Sequence, residues 1–473
     1  MQQGTTDFTE GSIPRHLITF SVPMLLGNFL QAMYSTVDSF WVGRYLGPEA
    51  LAAVSASGPV IHALIALVLG LTIAVTTIVA QHWGAKQEDQ VRHIVTNSIL
   101  LLTVVGIIVS VIGILARRPL LRIINVPPDV FDGASTYLGI YLSGLVAMFL
   151  YNAASSILRG LGDSRTPLRF LAYATFANII LDPIFIFGAG PIPRMEIAGV
   201  ALATVISQAF SAILALTYLH RVSGLLTLKP GQWQIDFSLF SLIAKIGLPA
   251  GVQQTAVSLS ALTVNSIVNK FGSTVMAGYG AGLRLDQFAF MPAMSGGLAV
   301  TSLVGQNLGA GREDRVRDSV RWSLILTGGI TAALSLVVLA FPDRLIAIFT
   351  RDGRVIAVGA EYLRFAALSY VPYACMFALS GVLRGAGDTV SAMLMTLTSL
   401  WVVRVPLAAT LSRLPQFGIK GVWMAIVAGP VAGSILNYAY YKTGRWKRRV
   451  VVRRHTPVTS QQSEPSETQD HPN

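Results

Sequence analysis

Long apolar runs, cut by short polar segments, set the pattern of this chain. Ser98–Ala116 and Trp322–Phe341 each pass without one charged residue. An α-helix rises about 1.5 Å per residue and a bilayer's hydrocarbon core is roughly 30 Å thick, so about 20 apolar residues make one crossing. By that measure the sequence predicts spans near 17–42, 51–80, 93–116, 136–158, 168–188 and 197–219. A second set follows near 240–267, 275–304, 320–341, 360–383, 391–411 and 418–441. The runs do not alternate apolar with polar residues, as membrane β-strands must. The predicted fold class is all-α integral membrane, with about twelve transmembrane helices.

Composition agrees with this pattern. Of 473 residues, 53% are hydrophobic and 12% are charged, and the mean hydropathy is +0.59. Soluble domains carry about 25% charged residues, so this chain has too few polar side chains to cover a water-facing surface. A net charge of +12 would suggest nucleic acid for a soluble protein. Here basic residues gather in loops, where they fix orientation and meet anionic headgroups. The expected surroundings are therefore membrane lipid and no nucleic acid. The single cysteine, Cys375, leaves no disulfide framework and no cysteine metal cluster. Met1–Glu10 is polar, so no cleavable signal is expected. No HExxH, GxSxG or histidine cluster suggests an enzyme.

The chain also repeats itself. Val79–Arg92 (VAQHWGAKQEDQVR) matches Val304–Arg317 (VGQNLGAGREDRVR) at an offset of 225. Leu158–Asp163 matches Leu383–Asp388 in the same register, and Ile197–Val200 matches Ile419–Val422 at an offset of 222. These matches lie in or beside polar loops, where chance similarity between apolar helices does not apply. They predict two six-helix repeats. An even number of helices gives both copies one orientation, hence a pseudo-two-fold axis along the membrane normal. The predicted organisation is an N-terminal half over 1–219, a cytoplasmic linker over 220–239 and a C-terminal half over 240–441. Residues 442–473 form a basic, then disordered tail, with Ser460–Asn473 as its polar end. The excess of Lys and Arg, part of it in the tail, predicts that both termini are cytoplasmic.

The repeated loops also carry a resemblance. Gly305–Gly311, the paired Arg-Gly-x-Gly-Asp loops, and Val37–Asp38 followed by Val42, Gly43 and Arg44 resemble the MATE family of multidrug and toxin extrusion transporters. The resemblance runs over nearly the whole chain. It implies a secondary antiporter of the plasma (inner) membrane that exports small toxic organic compounds, often cations, in exchange for protons or Na⁺, with no other cofactor. Asn178 to Pro183 on the fifth predicted helix looks like the DinF-like branch, which implies cation-coupling roles for Asp38, Asn178 and Asp182. The NorM-like branch places acids on helices seven and ten. Here helix seven carries Gln253 and Gln254, and Glu361 lies near the outer end of helix ten.

The residues can also be read without the resemblance. Asp182 is flanked by apolar residues, and an ionised Asp at mid-bilayer costs at least about 3 kcal/mol, so it calls for a partner or a function. Asn178 and Asp182 are four apart and share a helical face. Pro183 removes a donor and can free a carbonyl. Such a set suits a proton relay or Na⁺ equally, and no other metal site is indicated. Arg284, Asp286 and Arg404 fall within predicted spans. Their expected role is to neutralise buried charge, with a direct part at a substrate site as the other reading. A flippase for a lipid-linked saccharide is the competing function, for which the two arginines give a small foothold.

Overall fold

The computed structural model describes residues 5–222, 224–226 and 234–452. The first half contains α1 (Ile13–Trp41), α2 (Gly47–Gly84), α3 (Glu88–Ile123), α4 (Pro128–Ser143), α5 (Leu145–Gly160), α6 (Arg165–Phe187) and α7 (Glu196–Thr217). The second contains α8 (Phe237–Asn269), α9 (Ser273–Gly309), α10 (Glu313–Ala340), the short α11 (Pro342–Ala347) and α12 (Gly353–Gly385). It ends with α13 (Thr389–Leu397), α14 (Val405–Leu411) and α15 (Ile419–Thr443). The polar tail end, Ser460–Asn473, lies outside the described residues.

Among the described residues, nine helical segments are long and apolar enough to cross a membrane, and the bent pair α4–α5 brings the number to ten. One of the nine, Ile13–Gly84, contains both α1 and α2. As one rod of 72 residues it would run about 100 Å, far beyond a bilayer. The chain turns back through a π-helical turn at Val42–Leu46, which closes on Gly47 at φ 88°, ψ −179°. An Asp7–Lys86 ion pair then joins the start of this hairpin to its end on one face. α8, which carries Lys245, Gln253 and Gln254, is not among those nine segments and, among the described residues, completes the twelve crossings.

Two predicted spans are broken rather than straight. The span expected over 136–158 bends by 46° at Gly144, between α4 and α5. The span expected over 391–411 contains a seven-residue π-helical stretch, Thr398–Arg404, between α13 and α14. A π stretch shifts side chains relative to the regular 3.6-residue turn and is frequent at functional sites.

The two halves are locked together by a reciprocal pair of glutamines at the face that carries both described ends of the chain. Gln81 Nε2 donates to the Gly385 carbonyl at 2.8 Å, and Gln306 Nε2 donates to the Gly160 carbonyl at 2.9 Å. These residues are equivalents across the 225-residue repeat. Each glutamine oxygen in turn accepts a backbone N–H from one end of the chain. Phe8 donates to Gln306 at 2.9 Å and Val451 donates to Gln81 at 2.7 Å. Both glutamines are fully buried. Arg315 fixes the N-terminal segment further, donating to the Phe8, Glu10 and Gly11 carbonyls at 2.9–3.0 Å.

Close approach makes the clasp possible. A Cβ on Gly84 would lie 1.9 Å from the Gln306 carbonyl oxygen, and one on Gly309 would lie 1.8 Å from that of Gln81. Further into the membrane, α2 and α8 touch at Gly70, against the Gly247 carbonyl and the Gly251 N–H. Next to this crossing a cavity of about 410 Å³ opens between the halves. It is lined by Ala63 and Leu67 of α2, Leu248, Val252 and Leu259 of α8, and Trp401.

The first half is tied to the start of α8 by polar contacts outside the bilayer. Asp236 caps α8 through Ser238 and Leu239, and His93 on α3 reaches its other oxygen at 3.2 Å. The Ser238 hydroxyl and the Leu239 N–H, with smaller help from His93, hold this carboxyl down at about 2. It therefore stays ionised at any physiological pH.

The clasp makes a clean prediction. Gly84→Ala places a methyl group against the Gln306 backbone, so it should lower the melting temperature in detergent and suppress transport. Gly58→Ala, on the same helix with nothing within 4 Å of the new Cβ, should leave both close to wild type. Equal melting of the two variants would contradict this account of the closure.

Candidate functional site

The N-terminal half surrounds an acidic centre built by α1, α4, α6 and α7. Asp38 lies in the last turn of α1, just before the π turn that ends the helix, and is 7% exposed. Asn178 and Asp182 lie one turn apart on α6, and both are fully buried. Asn178 Nδ2 donates to Asp182 Oδ1 at 3.3 Å, and Thr204 Oγ1 on α7 donates to Asp38 Oδ2 at 3.4 Å. Asp38 and Asp182 lie close enough for their charges to act on one another. The structure thus brings together the three residues expected to act as one site.

The oxygens left over define what the site can do. Asp38 Oδ1, Asn178 Oδ1 and Asp182 Oδ2 are buried, and each lacks a hydrogen-bond donor. Buried acceptors without donors are rare because each forfeits its hydration for nothing in return. Neither carboxylate has an ion pair with Lys or Arg among the described residues. Two buried carboxylates cannot both stay charged here without a counter-cation. Three such oxygens offer the donor set that a proton or a hard monovalent cation such as Na⁺ requires.

The sequence did not tie the walls of this centre to its acids. Tyr34, Tyr137 and Tyr141 are buried, each near enough to feel the charge of Asp38. Thr204, Ser207 and Ser211 form an inward stripe on α7, each at most 2% exposed. That stripe was visible in the sequence as hydroxyl residues spaced three and four apart, the spacing of one helical face.

The C-terminal half holds a different centre. Asp286 on α9 is 2% exposed and accepts hydrogen bonds on both oxygens, from Tyr370 Oη at 2.6 Å and from Tyr362 Oη. Arg404 ends the π stretch, is 8% exposed, and lies near enough for its charge to reach Asp286 and Tyr279. Arg284 does not join them. It is exposed and lies over the Phe349 ring at 5.8 Å. The separation follows from helical geometry, since residues two apart face different directions. No group of three or more His, Cys, Asp or Glu suited to a metal occurs among the described residues.

A bundle of twelve spans in two repeats, clasped at one face and holding buried polar centres within each half, defines a membrane transporter rather than an enzyme. The chain belongs to the MatE family, whose profile matches it twice, over residues 23–184 and 249–410. It is 34% identical over 443 residues to the probable multidrug resistance protein YpnP of Bacillus subtilis, covering 93% of this chain and 97% of that one. It is 28% identical to the probable multidrug resistance protein NorM of Thermotoga maritima, covering 93% and 95%. A crystal structure of a MATE transporter in a bent conformation superposes with a TM-score of 0.87 at 23% identity, covering 94% of this chain and 98% of that one.

The Asp286 cluster predicts a stability effect. Tyr370→Phe removes one of the two donors to a buried carboxylate, which should destabilise the protein by about 1–3 kcal/mol. Thermal unfolding in detergent checks this, and an unchanged melting temperature would mean that the hydroxyl contributes nothing.

Proposed function

We propose that this protein is a secondary active antiporter. It exports small organic compounds, commonly cationic drugs or toxins, across the plasma (inner) membrane in exchange for H⁺ or Na⁺. Both termini, and with them the clasped face, lie in the cytoplasm. The observation that carries the reading is the trio of donor-less buried oxygens on Asp38, Asn178 and Asp182. The relatives' names support multidrug export and give no support to a lipid-linked saccharide. The basic segment Lys442–Arg449 supports the orientation, because such clusters resist translocation.

The chemistry follows from charge balance. With neither proton nor Na⁺ bound, the acid pair holds uncompensated charge in a low-dielectric site, which favours any conformation that hydrates it. A bound proton or Na⁺ removes that penalty and favours the dehydrated arrangement. Asp38, Asn178 and Asp182 would hold a Na⁺ through oxygen ligands, and the same oxygens would share a proton. An organic cation competes for the same negative charge, so loading one ion favours release of the other. A ligand can drive the cycle only through such a difference in affinity between conformations.

Reconstituted vesicles test this reading. Dye export should be driven by an imposed proton gradient or by a Na⁺ gradient. Asp182→Asn keeps the side chain's shape but cannot ionise, and it should insert normally and lose gradient-driven export, with Asp38→Asn impaired as well. Wild-type export by Asp182→Asn would sink the assignment.

A further inference from the structure

The two repeats carry opposite buried charges on corresponding crossings. Asp182 lies on the fifth crossing of the first half, α6, and Arg404 on the fifth crossing of the second, between α13 and α14. Tyr137, a wall of the acidic centre, falls on Tyr362 at the 225-residue offset. The fifth crossing therefore carries a buried anion in the N-terminal half and a buried cation in the C-terminal half.

Among the described residues Arg404 has no hydrogen-bond or ion-pair partner. Its Nε is buried and makes no hydrogen bond, and among the described residues no carboxylate comes within the 4.0 Å of an ion pair. Asp286, the nearby acid, has both oxygens engaged by tyrosine hydroxyls. If Arg404 served only to neutralise Asp286, a direct contact would be expected, since separated ions in the interior forgo the attraction that offsets their desolvation. The aliphatic stem of Arg404 lies flat on Gly429, its Cβ, Cγ and Cδ within 3.5 Å of where a Cβ would stand. Its neighbourhood is aromatic: Tyr279, Tyr362 and Trp423 pack with ring centroids 4.9–5.5 Å apart. The Trp423 Nε1 is a second buried donor without an acceptor. Arg404 follows Trp401, a wall of the cavity between the halves, by three residues on the same helical stretch.

We propose that Arg404 is an oxyanion subsite for the substrate. It receives a carboxylate on molecules whose cationic end is held by the acidic centre of the other half. An intramembrane arginine without a partner is costly to keep and marks a ligand pathway or binding site. A guanidinium matches a carboxylate through two parallel N–H donors. The substrate class is thereby narrowed to organic molecules bearing an acid as well as a cation. This inference rests on the export reading for the cationic end, but its own signature is a preference for the acid.

The test compares two ligands that differ in one group, a cationic xanthylium dye with a free benzoate and its methyl ester. Binding to the purified full-length protein is measured by fluorescence anisotropy, with no gradient. Wild type should bind the acid at least about tenfold more tightly than the ester, one charge-assisted contact's worth. Arg404→Gln should bind the acid as weakly as the ester while the affinity for the ester holds. Arg404→Lys should keep part of the preference, because the charge survives and the fork does not. Asp38→Asn with Asp182→Asn should weaken both dyes and preserve their ratio. Equal binding of acid and ester by wild type, a result that needs no variant to fold, overturns the proposal. So does an equal loss of both dyes in Arg404→Gln. Failure of ester export under any gradient would instead count against the antiport reading and leave the acid preference standing.

Discussion

The reciprocal contact of Gln81 and Gln306 is the constraint around which the molecule is arranged. Each side chain spends its amide donor on the opposite half and its carbonyl oxygen on one end of the chain. Four such bonds, each worth about 0.5–1.5 kcal/mol net, hold the closed face by a few kcal/mol. That is comparable to the roughly 5.5 kcal/mol needed to reverse a two-state equilibrium from one side to the other. A clasp of this size can close fully and still be released by a bound ligand. The two glycines that admit the carbonyls belong to the same device, because without their bare Cα atoms the helices could not approach.

The proposed ion site and the clasp are joined mainly by α1. Asp38 sits near one end of this helix, while the chain just before its other end, at Phe8, is bonded to Gln306. Between them α1 packs on α6 of its own half and on α9 and α10 of the other. Asn28 donates to Ser295 across that seam at 3.2 Å. Pro23 interrupts the hydrogen-bond ladder of α1, and proline is a common cause of helix kinks. Under the proposed function, this geometry lets a change of charge at Asp38 reach the closed face through one helix in contact with both halves.

Much of this was legible in the sequence for physical reasons. Lipid forces long apolar runs, so the spans could be read from hydropathy, and duplication forced the loops to match. Asp182 stood out because a lone carboxylate among apolar residues is costly. The breaks at Gly144 and at Thr398–Arg404 were not legible, since both leave apolar composition untouched and alter only the backbone path. The partners of Asp286 could not be read either. Tyr362 and Tyr370 lie 76 and 84 residues away and meet it only through the packing of α9 on α12. The glutamines were visible as part of a repeated motif, but their exchange between halves is a property of the fold.

The central claim is that a cation at the acidic centre governs the clasp. Spin labels at Gln87→Cys and Arg312→Cys, exposed and equivalent positions on the clasped face, would report its opening as a distance distribution, with Cys375 replaced by serine. The account predicts that lowering the pH or adding Na⁺ shifts this distribution in the labelled wild-type background. It also predicts that the shift disappears when Asp38 and Asp182 are both changed to Asn. A distribution that responds to neither cation, or that responds equally without the two carboxylates, would contradict it.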